Sequence, residues 1–82
     1  MERMITEREY YANEARRLRE FAERVCKAMA DFQLTYVSIG RECNLDWRIV
    51  KRAGQATRIN GECERRIEFY LDKLYKQENG RD

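Results

Sequence analysis

The positive charge of this chain is concentrated in one stretch. Residues 40–58 hold Arg41, Arg48, Lys51, Arg52 and Arg58 against only Glu42 and Asp46. Elsewhere the signs balance: residues 1–39 carry seven basic and seven acidic groups, and residues 59–82 carry five against six. A net charge of +2 over 82 residues says little about partners. A local excess of this kind is what neutralising a run of phosphates requires, whatever the total. Other chemistries lack their parts. The chain has no histidine, no Gly-rich phosphate loop and no nucleophile elbow, and its carboxylates are scattered along charged helix faces, so no enzyme and no catalytic residue are expected. Cys26, Cys43 and Cys63 lie far apart without a Cys-x-x-Cys pair. They give no metal site and no cofactor, their odd number argues against a disulfide framework, and they are expected to be reduced and mostly buried.

The elements that must position this basic stretch are helices. There is no proline, and the four glycines are Gly40, Gly54, Gly61 and Gly80, so long helices are the default. Thr6 followed by Glu9 is a capping-box pattern opening a helix over about 7–33. Within it Tyr11, Ala15, Leu18, Ala22, Val25, Met29 and Phe32 alternate in spacings of four and three, the seam of an amphipathic helix close to a heptad repeat. That helix is longer than a small bundle needs. Its first half, with Tyr10, Tyr11 and Leu18, must either be covered by the C-terminal helix folding back or pair with a second subunit. A C-terminal helix is expected over about 61–77, capped by Asn60, with Glu62 and Glu64 favouring the dipole of its first turn. Cys63, Ile67, Leu71 and Leu74 form its apolar stripe. The fold class is therefore all-α: a single domain over 1–82, a small helical bundle with a long N-terminal helix. An 82-residue chain buries a modest core, so help from a partner subunit is a reasonable expectation.

Between the long helices, residues 36–54 read as two short helices around a tight turn. Such a pair needs a small residue where the backbones approach, a turn residue tolerant of positive φ, and apolar residues on both sides. Ile39 supplies the first apolar contact and Gly40 the small residue. Cys43 ends the first helix, Asn44 suits a left-handed turn, and Leu45 plugs into the core. Asp46 is a good N-cap, with Val50 and Ala53 facing inward.

This pattern resembles the helix-turn-helix of the lambda-repressor-like superfamily, including the Lac-repressor headpiece branch. The resemblance continues through Ile59, Asn60, Cys63, Ile67, Leu71 and Leu74 and covers about 36–75. Asn44 stands where the family usually has glycine, the linker from Ala53 to Ile59 is about one residue shorter, and the family rarely begins with a helix this long. The resemblance implies Trp47, Arg48 and Arg52 as side chains directed at bases in the major groove, where an arginine pairs bidentately with guanine. It places Arg41 and Lys51 toward phosphates, with Ser38, Gln55 and Arg58 as further phosphate contacts. Trp47 is the awkward member, because a ring pointing outward is a large exposed apolar surface, and a core-facing ring is the alternative.

The expected function is sequence-specific binding of duplex DNA by a transcriptional regulator, acting as a homodimer that reads two half-sites about one helical turn apart. By analogy its size resembles regulators of phages and other mobile elements. The rival is a protein-binding module, an inhibitor or adaptor, gripping a protein partner through Trp47, Ile49 and the Tyr10/Tyr11 face. No apolar run approaches the roughly 18 residues of a membrane span, and Met1-Glu2-Arg3-Met4 does not open a signal peptide. No membrane and no small-molecule ligand are implied; the expected location is cytoplasmic and nucleoid-associated.

Overall fold

In the computed structural model, which describes residues 6–79, four helices follow one another: α1 (Glu7–Phe32), α2 (Tyr36–Cys43), α3 (Trp47–Gly54) and α4 (Gly61–Asn79). Each begins where a side chain satisfies the free amides of its first turn. The Thr6 hydroxyl accepts from the Glu9 amide at 3.2 Å. Thr35 and Ser38 form a reciprocal capping box at α2, Asp46 caps α3, and Asn60 accepts from the Glu62 amide at 2.8 Å. α1 ends without glycine or proline, because Gln33 takes the left-handed conformation (φ 54°) and the Leu34 amide then reaches the Met29 carbonyl at 2.9 Å.

All four helices feed one core. Phe21, Val25 and Ala28 from α1 meet Ile39 and Cys43 of α2, Val50 and Ala53 of α3, and Ile67 and Leu71 of α4. Val25, Ile39, Val50 and Ile67 are completely buried, each contributing about 1.5–3 kcal/mol of transfer free energy. The close approach of α2 and the start of α3 depends on Gly40: a Cβ there would lie 2.7 Å from the Leu45 carbonyl oxygen and 3.3 Å from the Trp47 Cα. Asn44 adopts the left-handed conformation (φ 57°, ψ 45°), and the Leu45 amide closes the turn on the Gly40 carbonyl at 2.7 Å. These residues do what their types predict, and the helix-turn-helix forms with the anticipated inward positions.

α4 lies alongside α1 and runs in the same direction, with polar pairs spaced along the two helices. Arg17 is paired with Glu64, Arg24 reaches Glu68 (3.2 Å) and Asp72 (2.9 Å), and the Tyr75 hydroxyl donates to Asp31 at 2.7 Å. Phe32 stacks edge-on against Tyr75, centroids 5.1 Å apart. Each exposed ion pair contributes little on its own; they accompany an alignment that Phe21 and Val25 of α1 and Ile67 and Leu71 of α4 share in the core. That alignment starts α4 level with Arg17, so the covering of α1 reaches only that far. Tyr10 and Tyr11 remain 51% and 62% exposed, and Ala15 is exposed too. The C-terminal helix therefore does not cover the first turns of α1. They project, and the Cα radius of gyration is 14.7 Å where a compact chain of this length has about 12 Å.

The cysteines correct another expectation. Only Cys43 is buried, Cys63 is half-buried, and Cys26 is exposed, its Sγ 3.6 Å from the Gly54 carbonyl oxygen. Position 26 lies off the apolar seam through Val25 and Met29, on the side of α1 away from Phe21 and Ala28.

Candidate nucleic-acid interface

α3 carries two buried residues, Val50 and Ala53, and at 100° per residue its opposite side is formed by Arg48, Lys51, Arg52 and Gln55. All four are exposed. α3 thus presents three cations on one strip, with the amide of its C-cap residue Gln55 at the end. Trp47 occupies the shoulder of that strip, 43% exposed. Its indole is neither in the core nor free, because the Lys51 ammonium sits 5.9 Å from the ring centroid. Ile49, on the other shoulder, is half-buried.

Asp46 stands at the head of the strip. Its carboxylate accepts from the Arg48 amide at 2.9 Å and from the Arg48 guanidinium at 3.2 and 3.3 Å. The backbone N–H of Arg48 and then its side chain hold the Asp46 carboxyl below the usual aspartate range. Sequence reasoning gave Asp46 the capping role alone. The i to i+2 side-chain pair needs the extended conformation of the cap residue, which only the folded turn supplies.

The remaining expected contacts fall in different places. Arg41 is exposed on α2. Ser38 is committed elsewhere: its hydroxyl accepts from the Thr35 amide at 2.9 Å and lies 3.0 Å from the Thr35 carbonyl, so the α2 cap uses the donor that a phosphate would need. The Thr-x-x-Ser spacing is the signal for that box, with serine in the place usually held by glutamate or glutamine. Arg58 is exposed in the loop before α4; the hydrogen bond from Arg17 holds the Glu14 carboxyl below its ordinary value, and the charge of Arg58 adds only slightly to that.

Away from α3, an open groove of about 790 Å³ between the end of α2 and α4 is lined by Glu42, Arg65, Arg66, Phe69, Tyr70 and Lys73 among others. Phe69 is 74% exposed there, an apolar side chain that the stripe on α4 gave no reason to single out. Cys43 also lines this groove, and burial pushes its thiol up, which favours the protonated form over the nucleophilic thiolate. Among the described residues no group of three or more His, Cys, Asp or Glu side chains is placed to hold a metal ion, and no helix is long and apolar enough to cross a membrane.

No protein-family model, curated protein or solved structure matches the chain. The chemistry of the site rests on its own geometry.

Proposed function

We propose that this protein binds duplex DNA as a sequence-specific regulator, with α3 lying in the major groove. The observation that carries this reading is the outward strip of α3: Arg48, Lys51 and Arg52 are exposed together on a helix whose other face is anchored in the core, with exposed Gln55 at its C-cap. An eight-residue helix presented by a tight turn is of a size to enter the major groove, which is about 12 Å wide. In this reading Arg48 and Arg52 address bases, and Lys51, Arg41 and Gln55 address phosphates. Trp47 offers its exposed edge to thymine methyls or sugar. The likeness of residues 36–75 to the Lac-repressor headpiece branch belongs to the same proposal. Dimerisation would use the projecting turns of α1, where Tyr10, Tyr11 and half-buried Leu18 continue the seam that Ala22 and Val25 bury. Two copies would then read an inverted repeat.

The test is selection of randomised duplexes on wild-type protein and on an Arg48→Ala/Arg52→Ala double variant at about physiological salt. An enriched motif that disappears in the variant supports the proposal, and a steep loss of affinity with rising salt accompanies it. A folded wild type that enriches nothing and retains no more DNA than the variant would defeat it. One observation favours the rival reading of a protein-binding module: Tyr10, Tyr11, Trp47 and Phe69 are all substantially exposed, and aromatic side chains anchor protein interfaces. Binding of that kind would be far less sensitive to salt.

A further inference from the structure

Asp46 uses one carboxylate for two purposes. Oδ1 caps α3 through the Arg48 amide (2.9 Å) and also accepts from Arg48 Nε (3.2 Å), while Oδ2 accepts from Nη2 (3.3 Å). The planar guanidinium thus has its inner edge, Nε with Nη2, occupied by its own helix cap. Its outer edge, formed by Nη1 and the second hydrogen of Nη2, takes no part in the pair, and the side chain is 73% exposed.

Capping does not require this arrangement. Serine or asparagine would serve α3 as well as aspartate. At a phosphate-facing helix end, moreover, a carboxylate repels the ligand. The choice of aspartate follows if its charge acts on Arg48. An arginine loses rotamer freedom when it makes a bidentate contact, and one already held at its inner edge has less to lose. A fixed fork also narrows what it can bind: the outer edge matches the paired O6 and N7 acceptors of guanine. A freely moving arginine is equally satisfied by phosphate.

We propose that Asp46 is a positioning residue for specificity, clamping Arg48 so that its outer guanidinium edge reads one guanine in the major groove. The inference rests on the duplex-DNA reading above. It predicts opposite effects on two affinities: removing the carboxylate weakens discrimination at that guanine and strengthens binding to unrelated DNA, because one repelled charge is gone.

The experiment compares wild type, Arg48→Ala, Asp46→Ser and Asp46→Asn on a duplex selected by the wild type. It repeats the comparison on the same duplex with 7-deazaguanine, which lacks the N7 acceptor, at the guanine whose preference Arg48→Ala abolishes. Wild type is expected to lose about tenfold in affinity on the modified duplex, and the Asp46 variants only about two- to threefold. The variants should also bind unrelated duplex more tightly at low salt, with unchanged helix content by circular dichroism. Asparagine keeps the size and the cap should serine fail to fold. Wild-type discrimination retained in the Asp46 variants refutes the clamp and leaves DNA binding standing, as does a motif without a guanine that depends on Arg48. Loss of the fold in both variants makes Asp46 a cap alone and overturns the inference too. A wild type that selects no motif defeats the DNA reading itself.

Discussion

Substituting Gly40 by alanine tests whether the α2–α3 crossing is held by backbone contact. The new Cβ would stand 2.7 Å from the Leu45 carbonyl oxygen and 3.3 Å from the Trp47 N and Cα. The first distance is roughly half an ångström or more inside an ordinary contact. None of these atoms belongs to a side chain that could turn away, and the hydrogen bond from the Leu45 amide to the Gly40 carbonyl (2.7 Å) ties the turn to the same spot. Relief therefore means lifting the start of α3 from α2. Overpacking costs about 1–3 kcal/mol, and a clash with backbone belongs at the upper end. Alanine recovers about 0.8–1 kcal/mol of helix propensity, leaving a net loss of about 1–2 kcal/mol. In a domain of this size that lowers the melting temperature by about 4–16 °C. Gly61→Ala is the internal control, because no atom lies within 4 Å of a Cβ at that position and the substitution should leave stability unchanged or slightly raised. The assay is thermal unfolding followed by far-UV circular dichroism for both variants. A Gly40→Ala protein that melts at or above the wild type would refute the close-approach argument.

Further outcomes are expected. Ala56, held at φ 60°, should become more comfortable as glycine, and Ala56→Gly should raise stability by up to about 1 kcal/mol in denaturant unfolding. Asp46 contributes stability that is present above the ordinary aspartate pKa and lost as pH falls through its depressed folded value. The acid limb of the wild-type unfolding profile should therefore contain a component that Asp46→Asn lacks. Tyr10→Ser/Tyr11→Ser should change monomer stability by no more than about 0.5 kcal/mol, since both rings are largely exposed, and should abolish self-association in sedimentation velocity. Self-association that is equally strong in that variant would move the dimer contact elsewhere. Ile39→Ala, at a fully buried position, should cost about 2–5 kcal/mol and disrupt the helix-turn-helix, read as loss of the cooperative melt.

Local chemistry decided much of this protein in advance. The caps at Thr6, Asp46 and Asn60, the left-handed Asn44 and the small Gly40 each act within a few residues, so α1 and the helix-turn-helix form close to where their residue types place them. The inward positions Ile39, Val50, Ala53, Ile67 and Leu71 were legible for the same reason, because periodicity fixes a face. So was the charge of α3, since Arg48 and Arg52 lie opposite Val50 and Ala53 on any helix. Tertiary structure decided the rest. How far α4 covers α1 depends on which residues more than forty positions apart meet, Arg17 with Glu64 and Arg24 with Asp72 on the surface and Val25 with Ile67 and Leu71 in one core, and no local signal fixes that. That alignment leaves Tyr10 and Tyr11 exposed. Cys26 lies outside the core because the neighbouring helices pack on the flank of α1 that carries Phe21, Val25 and Ala28, so its position off the seam outweighs the general tendency of cysteine to be buried. Ser38 went to its cap, because a polar side chain takes whichever partner the fold brings first, and that choice exists only once the turn before α2 is formed.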